Sequence, residues 1–171
     1  MAIRGPYEKH SQQRMCVEMT QDGKATTTKT TFSRETSVSI AIHASPSIVW
    51  RLLTTAADYP RWNSTVIAIA GEIKQGRIIR VKSKLDPKRE FKLTVKEFEP
   101  ERRMAWGDAT GTRVYTLSDD GRGVLRFSMS ERISGLMYPF FATYIPPFDE
   151  LFEQFARDLK TEAETRTSPN T

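Results

Sequence analysis

The sequence predicts an α+β fold: a curved, seven-stranded antiparallel sheet wrapped on one long C-terminal helix, with two short helices after the first strand. Three observations carry this reading. Val38, Ile40 and Ile42 alternate with Ser39, Ala41 and His43, the period of a half-buried strand, and the chain then turns abruptly helical at Ser45-Pro46. Between Ser64 and Arg132 come only strand-like segments separated by turn residues. After Pro146-Pro147 a single apolar stripe appears at helical spacing: Phe148, Leu151, Phe152, Phe155, Ala156 and Leu159.

Taken in order, residues 1–35 read as a flexible N-terminal extension, because they carry little apolar surface to offset ordering entropy. The threonine run from Thr26 to Thr31 suits a strand as well, so an extension of the first strand through Ala25 stays open. The folded domain spans 36–165, and 166–171 form a disordered tail. Ser45 is suited to cap a helix and Pro46 to its first turn, where no N–H is needed. Ile48, Val49, Leu52 and Leu53 give that helix a short apolar face, and Tyr59-Pro60 interrupts it.

Strands are expected at 64–73, 77–85, 90–96, 103–107, 112–117 and 124–132. In the two centred on Val81 and Leu93, the apolar residues share one face while Arg80, Lys82, Lys84, Lys92 and Lys96 share the other. That alternation describes a sheet with one wet face, so the basic excess between Lys74 and Lys96 reads as solvated surface. The inner register then contains Ile79, Val81, Phe91, Leu93, Val95, Trp106, Tyr115, Leu117, Phe127 and Met129, with Phe148, Phe152 and Phe155 facing it from the helix. These residues suit either a dry core or the wall of an apolar ligand cavity. Glu131 follows the inward parity of Phe127 and Met129, unless a bulge or the sheet edge turns it outward. Arg113 shares the parity of Tyr115. Glu131, Tyr115 and Arg113 are therefore the candidate catalytic or orienting groups.

Composition narrows the function classes. The chain has 171 residues, is 38% hydrophobic and 27% charged, and carries a net charge of +5. A single cysteine, Cys16, excludes an internal disulfide framework, and it offers no zinc spacing with His10 or His43. No metal or cofactor is expected. The N-terminal residues lack a hydrophobic signal segment, so a cytoplasmic location is expected. Specific nucleic-acid binding is not expected, because the basic stripe has no aromatic platform on its own face.

Several motifs share an order with a known family. They are the run Ile42 to Trp50 with Leu53, the run Asp58 to Asn63, Tyr115 to Leu117, the hairpin ending at Gly123, Ser130 to Leu136, and Phe152 to Leu159. In these the chain resembles the START-like (SRPBCC) superfamily, which includes polyketide cyclase/dehydrase and lipid-transport proteins. The resemblance implies a helix-grip architecture with a hydrophobic cavity between sheet and helix. It implies no single activity. The leading expectation is a carrier or sensor for a hydrophobic small molecule, such as a lipid or an aromatic, polyketide-like compound. The alternative is a cyclase or dehydratase using a cavity acid/base, and a third reading is a module whose basic face meets an acidic partner. Trp50, Asp58, Trp62 and Asn63 are expected to brace the fold. The aromatic stretch from Met137 to Ile145 reads either as a portal touching a membrane during ligand exchange or as packing against the sheet edge.

Overall fold

The computed structural model describes residues 22–119 and 123–167. In it eight strands form one antiparallel sheet in the order β1-β2-β8-β7-β6-β5-β4-β3. They are β1 (Ala25–Lys29), β2 (Ser33–Ile42), β3 (Val66–Ala70), β4 (Ile78–Ser83), β5 (Asp86–Glu99), β6 (Arg103–Gly107), β7 (Gly111–Asp119) and β8 (Leu125–Ser134). Helices α1 (Pro46–Thr54) and α2 (Tyr59–Trp62) follow β2, α3 (Tyr138–Phe141) follows β8, and α4 (Asp149–Thr167) closes the chain. Cys16 and His10 lie outside the described residues.

The α+β grip architecture is as expected, with one correction. The sheet has eight strands rather than seven, because β1 forms within the segment expected to be a flexible extension. Its threonines explain this. Thr27 faces inward, where its hydroxyl contacts that of Thr36 at 2.8 Å and donates to Asp149 of α4 at 2.9 Å. The Ala25 N–H donates to Glu153 at 3.2 Å. Polar anchorage to the helix thus replaces the apolar burial that the segment lacks. Similarly, α4 continues to Thr167, two residues into the expected tail.

Local chemistry sets the other element ends. The Ser45 hydroxyl accepts from the Ile48 N–H, with Pro46 opening α1. Trp50 packs edge-on against Phe98, and Trp62 against Phe155, so both tryptophans brace the fold. Asn63 accepts from the Thr65 N–H and hydroxyl. Register irregularities occur between β3 and β4 at Val66/Ala68, between β4 and β5 at Val81/Ser83, and between β5 and β6 at Val95/Glu97. Such bulges bend a sheet, and all three fall in the half remote from β1 and β2.

Helix α4 packs on the opposite half, against β1, β2 and β8. Phe152, Phe155, Ala156 and Leu159 are buried on its inner stripe. Its polar positions are tied down at both ends. Lys160 donates to the Ala41 carbonyl, Glu164 accepts from the His43 N–H, and Asp158 accepts from the Ser64 N–H and hydroxyl. Near the helix end, Arg61 and Arg166 both bridge Asp58 and Glu162.

That four-residue network has a pH signature. The Arg61 hydrogen bond, aided by Arg166, holds the Asp58 carboxyl below its ordinary range, and the same two arginines lower Glu162. A carboxyl depressed in the folded state contributes stability above its unfolded pKa of about 4 and loses it as pH falls through the folded value. The double substitution D58N/E162Q is expected to lower stability at neutral pH by at most about 1 kcal/mol, since these groups are partly exposed. It should also flatten the fall in urea midpoint below about pH 4, as measured by tryptophan fluorescence.

Candidate functional site

One helix covering β1, β2 and β8 leaves the inner face of β4–β7 without helical cover. A pocket of about 490 Å³ lies there. Its floor is the bent half of the sheet: Val66, Ile69, Val81, Phe91, Leu93, Trp106, Tyr115 and Ile133. One rim is the β4–β5 turn with Ser83, Leu85, Asp86 and Arg89, and another is the β6–β7 hairpin with Gly107, Asp108, Thr110 and Gly111. The segment after β8 supplies the remaining wall through Phe141, Tyr144, Ile145, Pro146 and Phe148.

Of the residues expected to line a cavity, Val81, Phe91, Leu93, Trp106, Tyr115 and Phe148 do so. Ile79, Val95, Leu117, Phe127, Met129, Phe152 and Phe155 do not; all seven are buried in the core instead. Helix α4 accounts for the buried residues of β7, β8 and its own inner stripe, whereas Ile79 and Val95 are buried in the core on strands it does not cover. Phe127 stacks with Phe155, and Tyr115 packs against the same Phe155 ring at 5.8 Å, so the central strands are filled by α4. Phe91 and Leu93 lie beyond the helix and remain only half-buried. Strand parity gives the correct face for all of these residues but not the helix position that separates core from pocket.

The three polar candidates come together. Arg113 and Glu131 are directly opposite in the β7–β8 register, and Trp106 and Thr36 continue the same inward row. The guanidinium donates through Nε to Glu131 Oε2 at 2.6 Å and through Nη2 to the same oxygen. Both side chains are mostly buried, at 19% and 17% exposure, and the Arg113 guanidinium lies over the Phe152 ring at 5.1 Å. Burial works against the Arg113 charge, but Glu131 outweighs it and keeps the arginine firmly protonated. The bulge that would have turned Glu131 outward is absent, and β7 and β8 pair in unbroken register.

Tyr115 is on the same face two residues along β7. Its ring packs edge-on against Trp106 at 4.8 Å. Its hydroxyl is buried and, among the described residues, makes no hydrogen bond. Arg113 approaches the phenol, but its hydrogen bonds go to Glu131. Burial pushes the phenol up to about 12, with Arg113 acting in the opposite direction. Tyr115 is therefore a neutral O–H donor across the physiological range.

Two further features sharpen the pocket. A side chain at Gly107 would place Cβ 2.1 Å from the Gly111 carbonyl oxygen, so glycine is required for the hairpin to close at this rim. Asp108 accepts from the Thr110 N–H and hydroxyl and from the Gly111 N–H inside that hairpin. Burial raises the Asp108 pKa, but these bonds outweigh it and leave the carboxyl below its ordinary range.

The second feature is Arg34, which is 4% exposed. It donates to the Ile145 carbonyl at 3.2 Å and the Pro146 carbonyl at 2.8 Å, with its guanidinium 4.4 Å from the Phe148 ring centroid. It fastens the segment after β8 to the sheet. Sequence reasoning missed Arg34 because it falls in the stretch assigned as flexible; the preceding threonine run was the available signal. The same segment exposes Leu136, Met137, Phe140 and Tyr144, and Phe32 lies beside it through the Gly135 N–H bond to the Phe32 carbonyl.

Arg80, Lys82, Lys92 and Lys96 of β4 and β5 are exposed on the outer face, with Arg80 paired to Glu90, whereas Arg89 lies over the Phe91 ring at the pocket rim. Among the described residues no cluster of three His, Cys, Asp or Glu gathers as a metal site, and no helix is long and apolar enough to cross a membrane.

Sequence comparison matches residues 33–164 to the family described as polyketide cyclase / dehydrase and lipid transport. The chain belongs to this family. Its fold is similar to that of a conserved protein of unknown function from Enterococcus faecalis, at 20% identity and a TM-score of 0.64 over 90% of this chain and 85% of that one. It is similar as well to a START superfamily protein from Mycobacterium smegmatis, at 13% identity and a TM-score of 0.57 over 77% and 98% of the two chains. A putative protein of the dynemicin biosynthetic locus aligns at 18% identity and a TM-score of 0.57, over 76% of this chain and 47% of the other. At these identities the solved structures support the fold alone. No curated protein matches the chain in sequence.

The ion pair yields a direct test of the site's electrostatics. R113M strands the Glu131 carboxylate in a mostly buried setting and is expected to destabilise the protein by about 3 kcal/mol. The double substitution R113M/E131L should recover most of that loss, because no unpaired charge remains. Urea denaturation of the single and double variants measures both effects.

Proposed function

We propose that this protein binds a hydrophobic small molecule, a lipid or an aromatic, polyketide-like compound, in the pocket over β4–β7, as a carrier or sensor. The observation that carries the reading is the pocket itself. Its volume of about 490 Å³ falls within the ordinary range for small-ligand sites, and its floor is aliphatic and aromatic with few polar groups. Family membership supports it, since the family's description includes lipid transport. The exposed Leu136, Met137, Phe140 and Tyr144 lie on the segment that walls the pocket, which supports transient membrane contact while ligand is exchanged.

A second reading is favoured by the position of Glu131. A cyclase or dehydratase needs a base beside a polarised carbonyl, and the pocket holds a carboxylate, a guanidinium and a neutral phenol in one place. In that reading Glu131 moves the proton while Tyr115 and Arg113 orient the substrate oxygen. The similarity to a protein of a biosynthetic locus agrees with it. The engagement of Glu131 Oε2 by two arginine bonds favours holding over proton transfer.

A bulky substitution on the pocket floor tests the first reading. Uptake of a fluorescent fatty acid by the wild-type protein is expected, and L93W, which fills the space above β5, should weaken it at least tenfold without lowering the urea midpoint. Vesicle-to-vesicle transfer of the same probe should slow in M137D/F140D, two exposed positions outside the pocket lining, while uptake from solution is kept. Chromatography with mass spectrometry of recovered polyketide-like ligands separates the two readings: unchanged mass and retention time fit a carrier, an isomer of unchanged mass fits a cyclase, and loss of water fits a dehydratase. Failure of varied lipids and aromatics to bind would sink the proposal.

A further inference from the structure

The geometry points to a hydroxyl, from an alcohol or phenol, as the polar group that the pocket receives beside Tyr115 and Glu131. The inference rests on the pocket-binding reading and specifies the chemistry of the ligand's buried end.

Two unsatisfied positions carry it. Tyr115 is 1% exposed, lines the pocket, and presents a hydroxyl with no partner. A buried polar atom without a partner costs roughly 1–3 kcal/mol, which a bound group can relieve. On the neighbouring strand both arginine bonds to Glu131 fall on Oε2, and among the described residues Oε1 accepts none. Oε1 lies toward the pocket rim, 3.9 Å from where a Cβ on Gly111 would sit.

One fixed acceptor and one free phenolic O–H select the partner. A hydroxyl satisfies both at once, donating to Glu131 Oε1 and accepting from Tyr115. A carbonyl satisfies only the tyrosine. A carboxylate would meet the tyrosine but set its charge against the Glu131 carboxylate, which already balances the charge of Arg113. Because Arg113 and Glu131 cancel, this end of the pocket is electroneutral and provides no surplus charge for an anion. Arg113 is a positioning residue here: it holds the carboxylate so that one oxygen stays free.

Three probes on one scaffold test the idea: 2-naphthol, 2-methylnaphthalene and 2-naphthoate, followed through the fluorescence of Trp106 at the pocket wall and by calorimetry. The wild-type protein should bind 2-naphthol about tenfold more tightly than 2-methylnaphthalene, the size of one or two net hydrogen bonds. It should bind 2-naphthoate no better than 2-methylnaphthalene. Y115F should remove most of the naphthol preference, bringing the ratio of naphthol to methylnaphthalene affinity close to one. Its urea midpoint should not fall, because the deleted hydroxyl has no partner in the unliganded protein. E131Q, which keeps an acceptor oxygen but loses the charge, should relax the discrimination against naphthoate. Equal binding of naphthol and methylnaphthalene, a preference for naphthoate, or a naphthol preference unchanged by Y115F would overturn the inference and leave the pocket-binding reading intact. If none of the three binds, that underlying reading fails with it.

Discussion

A single helix cannot cover an eight-stranded sheet. At roughly 4.8 Å between strands the sheet is about 34 Å across before it curls, while a helix with its side chains is about 10–12 Å wide. Here α4 is committed to one side. Hydrogen bonds from Ala25 and Thr27 to its first turns, from Lys160 to the Ala41 carbonyl, and from the His43 N–H to Glu164 leave it no freedom to sit centrally. Phe155 then fills the middle of the sheet, against Tyr59, Trp62, Tyr115 and Phe127. What lies beyond that ring must be closed by something else, and the bent β4–β6 strands with the segment after β8 close it only partly.

The pocket's chemistry follows from that asymmetry. The apolar side chains under the helix, such as Phe127 and Met129, are fully buried, whereas Phe91 and Leu93 are half-covered and available. Arg113 and Glu131 stand near the boundary, with Phe152 of the helix beneath the guanidinium and the pocket on the other side. A charged pair at this place is costly to desolvate and contributes little to net stability. Its physical consequence is to hold polar atoms rigidly beside apolar walls. Arg34 does comparable work at the mouth, where a buried cation holds two backbone carbonyls of the wall segment.

Much of this architecture is legible in residue patterns, and the failures have identifiable causes. Alternation along β4, β5, β7 and β8 gives the inward face, including Glu131 and Arg113, because a two-residue period depends only on the strand itself. The Ser45-Pro46 start and the Phe148–Leu159 stripe likewise depend on local chemistry. The position of α4 across the sheet does not. It is set by long-range contacts such as Thr27 to Asp149, in which the participating residues are polar and individually unremarkable in sequence. That is why β1 is missed, why Arg34 is missed with it, and why core residues such as Phe127 share one pattern with pocket residues such as Leu93. The orphaned Tyr115 hydroxyl is invisible in sequence for the same reason: lack of a partner is a property of three-dimensional surroundings.

The uncovered half of the inner face is the binding surface we propose. A smaller concavity of about 360 Å³ lies on the outer face, lined by Ser37, Ser39, Thr116, Ser128 and Ser130 with Lys24 and Arg126, and provides an internal comparison. Backbone amide chemical-shift mapping during titration with an apolar aromatic ligand tests the claim most directly. The account predicts shifts concentrated at Leu93, Trp106, Gly111, Ile133 and Ile145, with Ser37, Ser39 and Ser128 unmoved. Shifts centred on the outer serine-lined groove, or spread evenly without saturation, would contradict it.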